Sequence, residues 1–305
     1  MRLAILMATY NGEKYLHAQI DSILKQETDI PFDLIVRDDG STDATLEILK
    51  SYKDKGVLDY YSEGNLGAAK GFIQLLRDNP GYDFYAYADQ DDVWEQGKLQ
   101  KGLKAVKGIA GPAIYCTNAA LVDSNLQSLG RNTHREVPTY NLVSILCLAC
   151  CAQGCTSVFN SDLAKVIQTH DMPDVFIMHD SLVTCLCGLI NGKIIYDHTP
   201  SMKYRMHSAN VFGMVTARQS LTRVLKSRLK EITTKPKVSM YIQTKNILDT
   251  YADVIPEENK PLCQTVIRSE KSLLARLQLV FCKDLKHDTL NKTITKKLQI
   301  LFGND

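Results

Sequence analysis

The stretch DFYAYADQDDVW, residues 83–94, joins an apolar segment directly to a group of acids. Residues 83–89 have the aromatic and small apolar side chains of a buried β-strand. Three carboxylates, Asp89, Asp91 and Asp92, then follow within four positions. Like charges this close raise one another's pKa, so the cluster costs stability unless something positive lies among them. The stretch therefore predicts a strand that ends at a site for a positive group.

Strand and helix patterns alternate on both sides of this stretch. Apolar strands are predicted at 2–10, 33–38, 57–61 and 83–89, then at 113–117, 155–159 and 193–197. Amphipathic helices are predicted after the first strand and at 42–53 and 66–78, with further helices near 140–151 and 179–190. This alternation predicts an α/β fold with a mostly parallel sheet covered by helices on both faces. Ligands of such sheets bind at the carboxyl ends of the strands, where the strand order reverses.

The charge of the chain is divided unevenly. Residues 1–213 carry 19 Lys/Arg against 25 Asp/Glu, net −6, whereas residues 214–305 carry 17 against 9, net +8. The second part also has Leu and Ile at helical spacing, as in RQSLTRVLKSRLKEI and KTITKKLQILF. We therefore predict a domain at 1–213 and a basic amphipathic helical extension at 214–305. The extension predicts an anionic partner such as an acidic membrane surface, although packing on the domain or a homodimer would also cover its apolar faces.

Cysteine usage and the N-terminus indicate the compartment. The chain has nine cysteines, and MRLAILMATY lacks the apolar length and cleavage site of a signal peptide, so we expect a reducing cytoplasm. The segment CLACCAQGC (147–155) contains one CxxC without a second ligand pair, which favours buried thiols over a zinc site. No apolar run approaches the roughly 18 to 20 residues that span a bilayer, so we expect any membrane contact to be peripheral.

Acidic or polar clusters follow three of the predicted strands: ATYNGE after the first, RDDGSTD after the second and ADQDD after the fourth. Such strand ends meet at one edge of a parallel sheet, so the clusters are expected to face one crevice. RDDGSTD alone would also fit a solvated turn in which Asp38 or Ser41 caps the next helix. Asp89 and Asp91 suit a hard divalent cation, Mg²⁺ or Mn²⁺, which would offset their repulsion.

ATYNGE, DDGSTD, GNLGAAKGF and DQDDVW, in this order and spacing, resemble the family 2 glycosyltransferases over about residues 1–213. The resemblance implies the GT-A fold, in which helices flank a Rossmann-like, mostly parallel sheet, and transfer of a sugar from a nucleoside-diphosphate sugar donor. It implies nucleotide-sugar-binding roles for Thr9, Glu13, Asp39, Lys70, Asp89 and Arg205, and metal-binding roles for Asp91 and His207. The alternative for Lys70 is a solvated lysine on a helix.

Two later segments complete the resemblance. FIMHDSLVTCLCGLI places Asp180 at the start of a predicted helix and matches the HD form of the family's acceptor-side motif, which implies the general base of an inverting transfer. An aspartate at this position is also an ordinary helix N-cap. MKYRMHSANVFG (202–213) resembles a Y-R-x-H-x-x-N segment, which implies that Arg205 or His207 holds the diphosphate or the metal.

The combination of DQDDVW, HD and YRMH is most similar to bacterial rhamnosyltransferases of surface-polysaccharide assembly. It implies a deoxythymidine-diphosphate rhamnose donor and a saccharide or lipid-linked saccharide acceptor. Because lipid-linked acceptors are reached from the cytoplasm, a peripheral location on the inner face of the membrane is consistent with this reading. The chain lacks the Q-x-x-R-W segment and transmembrane helices of the family's processive synthases, so we expect no processive polymerase.

Other functions fit fewer of these residues. A sugar nucleotidyltransferase would carry a Gly-rich, Arg/Lys-bearing signature after the first strand, which ATYNGEKYL lacks. A nucleotide-sugar-binding protein without turnover would have no need of Asp89, Asp91 and Asp180. The basic extension has few aromatic residues for base stacking, so we expect no nucleic-acid partner. The sequence therefore favours an enzyme.

Overall fold

The computed structural model describes residues 1–148, 153–207 and 238–304 of the chain. The predicted domain boundary at residue 213 and the predicted helix in RQSLTRVLKSRLKEI lie outside the described residues, as do Cys150 and Cys151. The described cysteines are free thiols, and all except the partly exposed Cys282 are buried. No described helix has the length and apolar character required to cross a bilayer.

Eleven strands and eleven α-helices form the described part of the chain. The strands are β1 (Leu3–Thr9), β2 (Phe32–Asp38), β3 (Asp59–Ser62), β4 (Phe84–Ala88), β5 (Val93–Trp94), β6 (Ala113–Thr117), β7 (Ala120–Val122), β8 (Ser128–Asn132), β9 (Val158–Asn160), β10 (Lys193–Asp197) and β11 (Met202–Arg205). The helices are α1 (Leu16–Leu24), α2 (Thr45–Lys53), α3 (Gly67–Asp78), α4 (Lys98–Val106), α5 (Leu142–Leu148), α6 (Ser161–Thr169), α7 (His179–Leu189), α8 (Met240–Tyr251), α9 (Lys260–Arg268), α10 (Leu273–Val280) and α11 (Leu290–Phe302).

Seven strands form the main sheet, in the order β10-β6-β9-β4-β1-β2-β3. All neighbouring pairs are parallel except those that β9 makes with β4 and β6. The predicted strand at 155–159 begins only at Val158, because Gly154–Thr156 form a 3₁₀ turn. The chain passes from β1 to β2 and β3 on one side and to β4 on the other, so the strand order reverses at β1. Ligands of open α/β sheets bind at such a reversal.

Both faces of the main sheet are covered, which confirms the predicted α/β class. Leu6 points into a core formed with α3, α5, α6 and α7, whereas Ile5 points into a core formed with α1, α2 and α4. A strand buried on both faces has no polar alternation, which is why LAILMAT is a continuous apolar run. Each fully buried Leu or Ile of this kind contributes about 1.5–3 kcal/mol to folding.

The described C-terminal helices pack on the same molecule. Ile247 of α8, Val266 of α9, Leu279 of α10 and Ile300 of α11 are buried in the same core as α3 and α7. The described part of the predicted extension is therefore held by apolar burial against the sheet domain.

Four short strands form a second sheet, in the order β5-β11-β7-β8. β11 pairs antiparallel with β5, where Met202 lies opposite Trp94, and parallel with β7, where Arg205 lies opposite Val122. The pairing brings the end of β11 beside the acidic loop that precedes β5. The second sheet thus places Arg205 and His207 next to Asp91 and Asp92.

Candidate active site

A cavity of about 710 Å³ opens at the carboxyl ends of β1, β2 and β4. The predicted site residues that line it are Thr9, Asp39, Asp89, Asp91 and Asp180. Each follows or ends a strand of the main sheet, except Asp180, which lies in the first turn of α7. The structure thus brings together the acids that the sequence places far apart.

Asp38 organises the loop after β2. Its buried carboxylate accepts hydrogen bonds from the hydroxyl of Thr9 (3.1 Å), the amides of Gly40 (3.0 Å) and Ser41 (2.9 Å), and the hydroxyl of Ser62 (2.9 Å). The N-cap of α2 is Ala44, so the alternative in which Asp38 or Ser41 caps that helix is wrong. Asp38 holds the loop in the shape that presents the next residue to the cavity.

Asp39 faces the cavity from the beginning of this loop. Its carboxylate forms a buried ion pair with Arg37 and accepts hydrogen bonds from the amides of Gly67 (2.7 Å) and Leu66 (3.1 Å) at the start of α3. A guanidinium and a helix N-terminus both stabilise a negative charge. Asp39 is therefore fixed as a charged hydrogen-bond acceptor at the β2 end of the cavity.

Glu13 and Lys70 lie outside the cavity wall. The carboxylate of Glu13 accepts a hydrogen bond from the amide of Ala44 (2.9 Å), so it caps the start of α2. Lys70 is exposed on α3. Their predicted roles in binding the nucleotide sugar stay predictions.

Asp89, Asp91 and Asp92 lie together beyond β4. Burial, followed by the neighbouring carboxylates of Asp91 and Asp180, raises the pKa of Asp89 to about 7. Burial also raises the pKa of Asp92 well above its usual range. One carboxylate oxygen of Asp92 accepts from the amide of Arg205 (3.0 Å), and the other has no hydrogen-bond partner among the described residues. The acids of the cluster therefore repel one another, as the sequence indicates.

The oxygens and nitrogens beside this cluster fit a divalent cation. Asp91 Oδ2 lies 2.7 Å from Nε2 of His207, the two residues predicted as metal ligands. Ligand atoms of Asp89, Asp92 and Cys155 lie within 4.8 Å of one another. Burial raises the pKa of the Cys155 thiol, so the carboxylates and the imidazole are the better donors for Mg²⁺ or Mn²⁺.

Arg205 braces the acidic loop from the side. Its guanidinium donates hydrogen bonds to the backbone carbonyls of Asp91 (2.7 Å) and Ser124 (2.7 Å), and it lies 4.3 Å from the ring centroid of Tyr15. Arg205 is buried and does not line the cavity. Its predicted role in binding the diphosphate stays a prediction, and one of its hydrogen bonds holds the backbone of the loop that carries Asp91.

Lys98 is a buried positive group that the sequence analysis missed. It is 1% exposed at the start of α4, and its Nζ lies 4.3 Å from the ring centroid of Trp94 with no hydrogen-bond partner among the described residues. Burial lowers its pKa to about 8, while the negative groups nearby, including Asp92, favour its charged form. In the sequence, Lys98 has the appearance of a solvated helix lysine. The burial of Lys98 depends on its packing against Trp94, which no local sequence pattern indicates.

Asp180 is held at the cavity wall by two backbone amides. Helix α7 begins at His179 with Met178 as its N-cap, so Asp180 lies in the first turn and is not the N-cap. Its Oδ2 accepts from the amide of Gly154 (3.1 Å) and its Oδ1 from that of Ser181 (2.7 Å). These bonds fix the carboxylate across the cavity from the β1 and β2 ends.

His179 and Gly154 fix the start of α7. His179 is buried and stacks on Phe72 at 4.1 Å between ring centroids, and burial lowers its pKa. A Cβ on Gly154 would lie 2.2 Å from Nε2 of His179, so this position requires glycine. The close approach lets the backbone of Gly154 reach the Asp180 carboxylate.

Three further lining residues carried no recognisable signal in the sequence. Thr133 and His134 follow β8, and His287 precedes α11. They belong to irregular segments, one of them in the basic extension. Only long-range packing places them at the cavity.

The sequence of this chain is similar to those of known glycosyltransferases. The family model described as glycosyl transferase family 2 matches residues 4–163. The dTDP-rhamnosyl transferase RfbG of Shigella flexneri is 27% identical over 68% of this chain and 73% of its own length. A β-1,3-glucosyltransferase of Escherichia coli, WfgD, whose name gives UDP-Glc as donor and α-D-GlcNAc-diphosphoundecaprenol as acceptor, is 30% identical over 51% of this chain and 58% of its own.

Solved structures share the fold at lower identity. TarS 1–349 of S. aureus in complex with UDP has a TM-score of 0.54 and 17% identity, and the match covers 99% of this chain and 89% of that one. The mannosyltransferase PcManGT of Pyrobaculum calidifontis, in complex with GDP-Man and Mn²⁺, has a TM-score of 0.53 and 15% identity over 99% and 85%. These likenesses concern the GT-A fold alone. With the family match over more than half its length, the chain belongs to glycosyl transferase family 2, and the protein is a glycosyltransferase.

Proposed function

We propose that the protein is a metal-dependent, inverting glycosyltransferase that moves rhamnose from a deoxythymidine-diphosphate donor to a saccharide or lipid-linked saccharide in surface-polysaccharide synthesis. The observation that carries the proposal is the meeting of Asp180 with Asp89 and Asp91 around one cavity at the switch point of the sheet. The similarity to RfbG, which is named as a dTDP-rhamnosyl transferase, supports the choice of donor.

Asp180 is the general base in this proposal. Its carboxylate accepts the proton of the acceptor hydroxyl while that oxygen attacks the anomeric carbon, and the bond from this carbon to the diphosphate oxygen breaks. Attack from the face opposite the leaving group inverts the anomeric centre. The amides of Gly154 and Ser181 keep the carboxylate in place, so little reorganisation accompanies the proton transfer.

Asp91 and His207 would hold Mg²⁺ or Mn²⁺, with Asp89 beside them. When bound, the cation would supply the positive charge that stabilises the departing nucleoside diphosphate. Asp39 and Thr9, at the ends of β2 and β1, lie where the nucleoside would bind. Arg205 keeps the backbone of the acidic loop in place through the Asp91 carbonyl.

A screen of donors tests this function. We expect Mn²⁺ together with dTDP or dTDP-rhamnose to raise the melting temperature more than UDP, GDP or their sugars do, and we expect release of dTDP from dTDP-rhamnose over time. Calorimetry and nucleotide chromatography measure the two effects. Binding without release of nucleotide would favour the sugar-binding alternative, and failure of every nucleoside diphosphate to bind would refute the proposal.

The partner of the C-terminal helices is proposed to be an anionic membrane surface. Six large apolar side chains of α10, α11 and their connection are 48–77% exposed: Leu273, Leu274, Phe281, Leu290, Ile294 and Phe302. The same segments carry lysines, including Lys283, Lys286 and Lys296. Apolar side chains beside lysines suit the interface of an anionic bilayer, where each Lys contributes about 1 kcal/mol.

Vesicle binding checks this surface. The full chain should co-sediment with phosphatidylglycerol vesicles at low salt and dissociate as the salt concentration rises, because the attraction to the anionic surface is screened. Phe281→Glu should weaken the binding, whereas Val137→Glu, at another exposed apolar residue (59%), should not. Equal binding by both variants would refute this role and leave packing or a homodimer for the apolar side chains.

A further inference from the structure

Thr133, His134 and His287 line a part of the cavity that the proposed donor chemistry does not use. They lie on the β6 side of the sheet, since Thr133 and His134 are bound by Asn118, which directly follows β6. Strands β6 and β2 are four steps apart in the sheet, roughly 19 Å at the usual spacing between neighbouring strands. This wall is therefore far from Asp39 and the proposed nucleoside end.

Hydrogen bonds with Asn118 hold His134 in place. The side chain of Asn118, which is fully buried, accepts from the amide of His134 (2.9 Å) and the hydroxyl of Thr133 (2.8 Å), and donates to the carbonyl of His134 (2.8 Å). The ring of His134 packs edge-on against Tyr196, with 5.9 Å between ring centroids. The imidazole thus has a fixed position at the wall.

His287 is held with similar rigidity although it comes from the basic extension. The hydroxyl of Ser144 in α5 bonds to the carbonyls of Asp284 (2.9 Å) and Lys286 (3.0 Å), which fastens the segment before His287 to the domain. The amide of His287 donates to the hydroxyl of Thr293 in α11 (2.9 Å). These hydrogen bonds therefore hold His287 of the extension at the cavity wall.

The buried carboxylate of Asp288 lies beside both histidines. It lies 2.5 Å from Nδ1 of His287, 3.6 Å from Nδ1 of His134 and 2.7 Å from Nζ of Lys292. Burial lowers the pKa of both histidines, so both imidazoles are neutral near pH 7. Asp288 engages Nδ1 of His287, so with the proton on Nδ1 the remaining Nε2 is an acceptor, which suits the O–H of a sugar hydroxyl better than a phosphate.

We propose that His134 and His287 form the subsite for the acceptor saccharide and hydrogen-bond hydroxyl groups of the sugar that receives the transferred residue. The inference rests on the proposed function, because it takes Asp180 as the base and the β2 end of the cavity as the nucleoside site. Asp288 is a positioning residue that sets the orientation of His287. The acceptor then lies on the β6 side, with its reacting hydroxyl directed towards Asp180.

Acceptor kinetics test the subsite. The probe is a panel of p-nitrophenyl hexosides and 6-deoxyhexosides, with dTDP-rhamnose and Mn²⁺, and each variant is assayed with the best acceptor of the unaltered protein. We expect His134→Ala and His287→Ala each to raise the KM for this acceptor by about tenfold, as for a lost hydrogen bond, while the Kd of the donor stays within about twofold. His287→Gln should recover part of the loss, since its amide can still hydrogen-bond a sugar hydroxyl.

The matched control is His198→Ala, at an exposed histidine outside the cavity, which should leave both constants unchanged. An unchanged acceptor KM in both cavity variants would overturn the subsite, as would a donor Kd that weakens in parallel with the acceptor KM. Failure of the unaltered protein to bind any nucleotide sugar would overturn the proposed function, and the subsite with it. The donor Kd of the unaltered protein thus distinguishes a failure of the proposed acceptor subsite from a failure of the proposed function.

Discussion

Replacing Asp180 with Asn is expected to lower turnover by about two to four orders of magnitude while the affinity for the donor is retained. The amide cannot accept the proton of the acceptor hydroxyl, but it has nearly the same shape. Its remaining oxygen can still accept from the Ser181 amide, so the first turn of α7 should persist. Steady-state kinetics with a fixed acceptor, together with calorimetry of donor binding, measure the two quantities separately.

Asp162→Asn is the matched control for this substitution. Asp162 also lies in the first turn of a helix, α6, but it is exposed and away from the cavity, so its replacement should leave turnover unchanged. Loss of donor binding in Asp180→Asn would show that Asp180 is a donor ligand. A large fall in melting temperature would indicate a structural role at the start of α7, and either result would contradict its assignment as the base.

Replacing Asp91 with Ala is expected to abolish both activity and the dependence of nucleoside-diphosphate binding on Mg²⁺ or Mn²⁺. The carboxylate pairs with His207 at 2.7 Å, and its loss leaves His207 and Asp89, whose pKa is raised to about 7, at the proposed site. Calorimetric titration with the nucleoside diphosphate, in the presence of Mg²⁺ or Mn²⁺ and then of excess chelator, measures how far binding depends on the ion.

The control for Asp91→Ala is Asp171→Ala, at an exposed carboxylate outside the cavity, which should keep the full dependence on the ion. Turnover by the unaltered protein that is undiminished in excess chelator would refute the metal site. In that case Asp91 and His207 would be an ion pair of the acidic loop, and the leaving group would need its positive charge from another side chain.

The sequence predicts the N-terminal half of the fold well because its signals are local. Strands such as LAILMAT are buried on both faces, and their ends carry the acids that line the cavity. The second sheet was not predicted, since β5 has two residues and β8, SLGRN, is fully exposed and polar. Such short strands form because they pair with neighbouring strands. The hydrophobic periodicity of one segment does not reveal which strands it pairs with.

The same distinction applies to the candidate site. Asp89, Asp91 and Asp180 stand in recognisable motifs, and the structure brings them to one cavity. Lys98 and His287 have no motif, because Lys98 packs on Trp94 and the segment before His287 is bound by Ser144 of α5, which is far away in the sequence. Local pattern therefore identifies the acids, whereas tertiary packing decides which basic and neutral groups surround them.

Ser144 of α5 forms hydrogen bonds with the backbone of residues 284 and 286. This affects which sequence changes the protein can accept in this segment. The fastening bonds go to backbone carbonyls and an amide, so they tolerate almost any side chain at positions 284 and 286. The region matched by the family model, 4–163, holds Asp39, Asp89 and Asp91 but ends well before His287. In the proposed scheme, an exchange of the C-terminal helices would change the acceptor side of the cavity at His287 and keep the residues proposed to bind the nucleotide. Chimaeras joined near residue 240 are therefore a starting point for engineering.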